Sequence, residues 1–291
     1  MPEFNNLNIF LQQSKSYLNS IPSKSVKVED EKINYFEAGS GETLLFFHCF
    51  NGSKALWRIL ANRLQDKYHV VIPDIPGFGM EDNLSKKERF SFRYIIEILN
   101  KFTKALDLNR FHIISASAGS TLAASYTIKH AEKVISLSMY GLPTLFRETP
   151  EICCNSDKPI DFFVPITLKG QQALNEHLIY GPGRVSNWLM ARSIELNRRN
   201  RDFKINVLNE ALKNTSLIVP RLRQLDLPIL FIYGEADNVT PLRTIEHFSA
   251  VAPNVQCYRI PNAGHMVYIE KADEVSAIYK SFLKFISLEA P

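Results

Sequence analysis

The chain has 291 residues, 45% of them hydrophobic and 22% charged, ordinary proportions for a globular protein with room for one large α/β domain and an insertion. Its formal net charge of +4 is too small to argue for a nucleic-acid surface, and no apolar run approaches the ~18 residues of a membrane span. Cys49, Cys153, Cys154 and Cys257 have no metal-ligand spacing. An adjacent pair seldom closes a disulfide, so neither a metal site nor a disulfide framework is implied.

In chain order, residues 1–24 carry an early glutamate and no apolar signal core. They read as a short amphipathic helix with Ile9, Leu11, Leu18 and Ile21 as its apolar positions, and the expected compartment is the cytoplasm. SVKVEDEKINYFEAG alternates and turns at Glu29–Lys32, the pattern of an antiparallel hairpin at a sheet edge. TLLFFH, from Thr43 to His48, is a continuous apolar run, as a strand buried on both faces requires. Leu56, Trp57, Leu60 and Leu64 recur at helical spacing. His69 to Ile75 gives a second buried strand, ended by PGFG at Pro76–Gly79. Ser91 is placed to cap a helix whose apolar face is Phe92, Ile95, Ile96, Leu99, Phe102 and Leu106.

The next stretch, FHIISASAGSTLAASY from Phe111 to Tyr126, carries the chemistry. It starts as a buried strand and turns on small residues into a helix, with Ser117 at the corner. A serine exposed on a sharp strand-to-helix turn is the nucleophile elbow, written G-x-S-x-G. Strand and helix nearly touch there, so the residues two before and two after must be small. Ser115 and Gly119 meet that need, although Ser115 replaces the first glycine. A serine also caps helices well, so the motif depends on its context.

VISLSMYG, from Val134 to Gly141, is another strand. The alternation then breaks until about Arg221, across the cysteine pair, DFFVPI, and helical patterns at Ser186–Leu196 and Phe203–Leu212. It resumes with PILFIYG, a helix from Pro241 to Val251, VQCYRIP, and a last helix packed through Val275, Ile278, Tyr279, Phe282 and Ile286. Alternating strands and helices imply a mostly parallel sheet with helices on both faces. The expected division is an N-terminal extension (1–24), a core (25–141 and 222–291) and an inserted helical cap (142–221).

A serine nucleophile needs a base, and the base an orienting carboxylate. Asp237 follows PILFIYGEA and His265 follows VQCYRIPNAG, each just past a buried strand, where sites form at the carboxyl edge of a parallel sheet. A lone Asp or His there is more often a cap or turn residue. The order serine, acid, histidine is that of α/β-hydrolases.

The chain resembles that family from the hairpin at Ser25 to the last helix. HCFNGSKALW resembles its oxyanion loop, DIPGFG its D-x-PGFG turn, GEADNVTP its acid loop and NAGH its histidine loop. RRNRDFKINVLNEAL and the NGSKALW spacing are most similar to the monoacylglycerol-lipase and carboxylesterase branch. The resemblance implies Ser117 as nucleophile, His265 as general base and then acid, and Asp237 as its orienting partner. The oxyanion hole would use the backbone N–H groups of Phe50 and Ala118, and His48 would tie the loop down. Cys49 stands where the family usually has glycine, and Met80 and Glu81 continue a turn where relatives commonly have serine. Aspartate at the elbow marks dehalogenases and epoxide hydrolases, so those chemistries are disfavoured. No metal or organic cofactor is implied.

The cap carries Phe146, Phe162, Phe163 and Trp188, which with Met266 are the residues expected to meet substrate. An apolar lining suits an acyl chain, a monoacylglycerol-like ester or a methyl ester. Most of those residues would equally well pack the cap. Arg184, Arg192, Arg198, Arg199, Arg201 and Lys204 form a basic run, either a solvated face or a dock for an anionic carrier protein. Ester hydrolysis through an acyl-enzyme is the favoured reading. Thioester hydrolysis, acyl transfer and carbon–carbon hydrolysis use the same triad, and a non-catalytic ligand-binding relative is the reading from another class.

Overall fold

The computed structural model describes residues 21–79, 84–85, 87–141, 162–181, 185–222, 225–240 and 254–289. The readings that fall on Ile9, Leu11, Leu18, Met80, Glu81, Phe146, the cysteine pair, Arg184 and the helix at 241–251 lie outside the described residues.

The expected hairpin forms from β1 (Ser23–Val28) and β2 (Glu31–Ala38), with Val28 opposite Glu31 and Glu29 taking a φ of 54° in the turn. The apolar runs become β3 (Thr43–Phe47), β4 (His69–Pro73), β5 (Phe111–Ala116), β6 (Val134–Tyr140) and β7 (Ile229–Gly234), while VQCYRI forms β8 (Val255–Ile260); β8 is an edge strand with Tyr258 and Arg259 exposed, so the strand before His265 is not the buried one expected. They form one sheet in the order β1-β2-β4-β3-β5-β6-β7-β8. β2 pairs antiparallel with β1 and β4, and every later pairing is parallel. β5 is fully buried along its length, which is why its sequence shows no alternation.

Alternate side chains of these strands feed two apolar layers. Leu45, Phe47, Ile113, Met139 and Phe231 face one layer. Leu44, Phe46, Ile114, Tyr140 and Ile232 face the other. The first is covered by α2 (Phe92–Ala105), α3 (Ala118–Lys129) and part of α5 (Asn187–Leu222). The second is covered by α1 (Arg58–Asn62), α6 (Val267–Glu270) and α7 (Ala272–Glu289). Ser91 caps α2 as its sequence predicts, its hydroxyl accepting from the Tyr94 N–H at 3.1 Å, a bond worth about 1 kcal/mol.

The stretch between β6 and β7 departs from its sequence pattern in two places. A helix, α4 (Leu168–Leu178), lies where no helical pattern stood out; Thr167 caps it through the Gly170 N–H, and only a narrow stripe of it, Gln171 and Leu174, is buried. The two helical patterns after Ser186 belong to one 36-residue helix kinked at Asn200, whose φ is −123°. Lys87 donates to the Asn200 side chain at 2.7 Å and lies over the Phe203 ring. Beyond that kink Val207 and Ala211 enter the main core with Leu122 and Ala123 of α3. Leu208, between them, turns instead toward Phe163 and Val239, so this part of α5 packs both on the sheet's cover and beside the candidate site.

Candidate active site

Ser117 occupies the N-cap position of α3 with φ 53° and ψ −126°, and its side chain makes no capping bond. A non-glycine residue there costs on the order of 1–3 kcal/mol, a strain characteristic of functional sites. The surroundings enforce it. The Ser117 N–H donates to the Tyr140 and Gly141 carbonyls at 3.1 and 3.2 Å. Gly119 must be glycine, because a Cβ would lie 2.3 Å from the His48 carbonyl oxygen and 2.7 Å from that of Phe47. Ser115 tolerates its Cβ, and its buried hydroxyl donates to the Ser138 carbonyl at 2.9 Å.

His265 and Asp237 meet. The imidazole Nδ1 is 2.9 Å from Asp237 Oδ2 and 3.1 Å from Oδ1, with both side chains almost fully buried. Asp237 Oδ1 also accepts the Val239 and Thr240 N–H groups at 2.7 and 2.9 Å. Burial by itself would raise the Asp237 carboxyl. The charge and hydrogen bond of His265, with those two amides, outweigh it and hold the carboxyl below its ordinary value. Asp237 is an anion that orients an imidazole.

The acid and histidine loops are joined through backbone. Ala236 N–H donates to the Ala263 carbonyl at 2.9 Å and Glu235 N–H to that of Ile260 at 2.8 Å. Gly141, at the end of β6 with φ 65°, joins this pair to the elbow. Its carbonyl takes the Ser117 N–H, while a Cβ on it would sit 2.7 Å from His265 Cε1 and 3.5 Å from Asp237 Oδ2. The elbow and the His–Asp pair thus flank one glycine, although Ser117 lies more than a hundred positions before either partner in sequence.

The loop after β3 faces the elbow. Nε2 of buried His48 accepts the Ile75 N–H at 2.9 Å, so the ring proton lies on Nδ1, which donates to the Cys49 carbonyl at 2.9 Å. That carbonyl also accepts from the Gly52 N–H at 3.1 Å, closing a four-residue turn with Asn51 at φ 57°. A trans peptide is planar, so pinning the Cys49 carbonyl aims the Phe50 N–H the opposite way. Cys49 itself has no positive φ, so a side chain fits where the family usually has glycine. Its sulfur accepts from Tyr268 Oη at 3.7 Å, and burial raises its thiol to about 11. It is a packed thiol rather than a nucleophile. Ala118 opens α3, where the first N–H groups have no intrahelical acceptor.

The residues expected to meet substrate separate. Phe162 and Phe163 pack edge to face at 5.4 Å and join an apolar cluster with Leu174, Leu208, Phe50 of the Cys49–Gly52 turn and Val239, two residues after Asp237. Met266 follows His265 directly, and its N–H donates to the Leu178 carbonyl of the insertion at 3.3 Å. Trp188 does not join them: it is 73% exposed. Nor is the basic run one face. Arg192 and Arg199 flank Glu195, Arg198 donates to the Ile166 carbonyl, and Lys204 turns inward.

Other residues at the site carried no motif. Glu270 accepts the Gly264 N–H at 3.1 Å and the Tyr180 N–H at 2.9 Å, splinting the histidine loop to the insertion. His177 of α4 packs edge-on against Phe162 at 5.3 Å with its Nε2 buried and unbonded. Burial first, and then the nearby His265, push its pKa down. The N-A-G-H spacing into an acidic residue five positions on was the one available signal for Glu270. His177 had none. Among the described residues no group of three or more His, Cys, Asp and Glu is arranged to hold a metal ion, and no helix is long and apolar enough to cross a membrane.

A strained serine at a strand-to-helix corner and a buried His–Asp pair, both against Gly141 at the end of a parallel strand, suggest a class, and comparison places the chain in it. The family model described as the alpha/beta hydrolase fold matches residues 42–152 and 190–272; the chain belongs to that family. Among curated relatives, Lipase 1 of Psychrobacter immobilis is 23% identical over 280 residues, covering 89% of this chain and 83% of its own. A pimeloyl-(acyl-carrier protein) methyl ester esterase of Legionella pneumophila (strain Corby) is 21% identical over 255 residues, covering 84% and 97%. Among solved structures, a bacterial membrane phospholipase A superposes with a TM-score of 0.83 at 22% identity, covering 99% of this chain and 94% of that one.

Proposed function

We propose that this chain, a carboxylic ester hydrolase, works through an acyl-enzyme formed on Ser117. The observation that supports this most directly is the oriented His265–Asp237 pair, which shares Gly141 with the elbow. His265 takes the Ser117 hydroxyl proton as the oxygen attacks the ester carbonyl. Phe50 and Ala118 N–H groups receive the oxyanion. The tetrahedral intermediate then expels the alcohol, which leaves with the proton from His265. Water repeats the path, giving its proton to His265 and releasing the carboxylic acid and free Ser117. Asp237 keeps the imidazole oriented and offsets its positive charge.

The acyl group would lie against the Phe162–Phe163 cluster, which reaches both Phe50 and Val239. An acyl chain attached to a small alcohol, a methyl ester included, fits such a surface. The exposed arginines at 192, 198 and 199 are those left to meet an anionic carrier, and the carrier-linked substrate of the Legionella relative is consistent with that use.

The test is labelling with a fluorophosphonate probe, read by intact mass, beside Ser117→Ala. One adduct on the wild type and none on the variant is the expected result. No adduct on a folded wild type overturns the mechanism, and an adduct that survives Ser117→Ala reassigns the nucleophile. Matched oxygen esters, thioesters and vinylogous diketones, assayed side by side, separate ester hydrolysis from the other chemistries a triad supports.

A further inference from the structure

Lys204 is a cation turned inward. It lies on α5 four residues beyond the kink, 4% exposed. Its Nζ donates to Asn51 Oδ1, and to Asn197 Oδ1 at 2.9 Å. Asn51 in turn donates through Nδ2 to Asn197 Oδ1 at 3.3 Å and to Ser193 Oγ at 3.4 Å. Asn197, fully buried, donates to the Pro165 carbonyl at 2.8 Å. Lys204 and Asn51 are 153 residues apart, so this contact exists only in the assembled site.

Asn51 has a particular place in the loop after β3. It is the third residue of the Cys49–Gly52 turn, where φ must be positive, and its own N–H is held by the Phe78 carbonyl at 2.8 Å. Asparagine tolerates that conformation better than most side chains but does not demand it. Its side chain is what Lys204 holds. If Asn51 leaves its left-handed conformation, the Gly52–Cys49 hydrogen bond opens, the Cys49 carbonyl loses one of its donors, and the Phe50 N–H swings with the same rigid peptide.

We propose that Lys204 is a positioning residue for the oxyanion hole: acting through the Asn51 side chain, its ammonium group holds the turn that aims the Phe50 N–H at the developing negative charge. This rests on the reading of Phe50 as an oxyanion donor. A hydrogen bond to an ionised donor is shorter and stronger than a neutral one, which suits a lysine to hold a residue in a conformation its backbone does not prefer. Fixing the donor before the reaction is what makes such a hole effective.

The experiment is a double-mutant cycle on a short-chain ester, with Lys204→Met, Asn51→Gly and the pair, after circular dichroism has shown each variant folded. Glycine at 51 keeps the positive φ accessible and removes only the side chain. Lys204→Met is expected to lower kcat roughly ten- to a hundred-fold with KM within about twofold, below the cost of deleting a donor outright. Asn51→Gly should give the same split, and the double variant should be no worse than the poorer single one, because both cut the same connection. Lys204→Gln, which keeps a donor for Asn51, should recover most of kcat.

Losses that multiply in the double variant, or a raised KM with kcat intact, would overturn the proposal and make Lys204 a brace for the insertion. If Lys204→Met does not fold, Asn51→Gly decides alone: unchanged kcat refutes, lowered kcat at constant KM supports. A wild type that takes no fluorophosphonate and turns over no ester would instead sink the acyl-enzyme reading beneath the proposal. A wild type that labels fully beside a Lys204→Met that labels completely but slowly would support both.

Discussion

At the scale of single residues, Gly141 carries the tightest constraint. It is the last residue before the insertion, its φ is positive, and a methyl group on it would overlap the His265 ring. Gly141→Ala is expected to displace the imidazole rather than unfold the sheet. Since a displacement near 1 Å can cost about a hundredfold, kcat should fall by about that factor while circular dichroism is unchanged; a variant with wild-type kcat would refute the geometry. His112 supplies a prediction far from the site. It lies buried on β5 with Nδ1 2.8 Å from Ser136 Oγ, and burial, helped by Arg110, lowers it from 6.5 to about 4. Between those values the unfolded chain binds a proton that the folded one does not, so stability falls as pH drops through this window and levels off below it. As much as about 3 kcal/mol is at stake. His112→Gln should flatten the profile of urea midpoint against pH between 6.5 and 4, whatever it does to stability at neutral pH. Cys49, by contrast, should resist iodoacetamide at pH 8 in the folded protein and react once unfolded, as peptide mapping would show.

At the scale of elements, the elbow depends on how closely α3 approaches β3. The atoms nearest a Cβ on Gly119 would be carbonyl atoms of Phe47 and His48, and backbone cannot rotate away as a side chain can. Gly119→Ala should therefore destabilise by about 1–3 kcal/mol or more, read as a lower thermal midpoint, and should impair turnover in whatever remains folded. Elements also show where sequence sufficed. The central strands β3 to β7 were legible as short apolar runs bounded by turn residues, β1 and β2 as an alternating hairpin, and α2 because its cap and its stripe agree. α4 was not, since its apolar stripe is too narrow to stand out. The kink in α5 was hidden too: two separate helical patterns turn out to be one helix with a non-helical φ at Asn200, whose side chain accepts from Lys87.

At the scale of the molecule, Ser117, Asp237 and His265 follow β5, β7 and β8, and the contacts that bring them together join the ends of strands distant in sequence. Hydrolysis and far-UV ellipticity should accordingly be lost in one urea transition; activity that vanished well before the ellipticity would show a site less dependent on the sheet. The three residues could be read as one candidate set because each follows a strand of the same sheet. The support around them was not legible. Gly141 is recognisable only when two distant loops converge on it, and Lys204 sat in a basic run whose charges looked alike until the helix turned one of them inward.

The kinked helix has one more consequence, for how such a protein can change. Its stretch after Asn200 packs two ways, Val207 and Ala211 into the layer that covers the sheet and Leu208 into the cluster with Phe163 and Val239, whereas the stretch before it meets the Pro165–Ile166 segment. Changes after Asn200 therefore touch the sheet's cover and the candidate site together, whereas changes before it spare the cover. An evolving lineage, or a protein engineer, has more freedom before that residue than after it, provided Ser193 and Asn197, which hold Asn51, are retained.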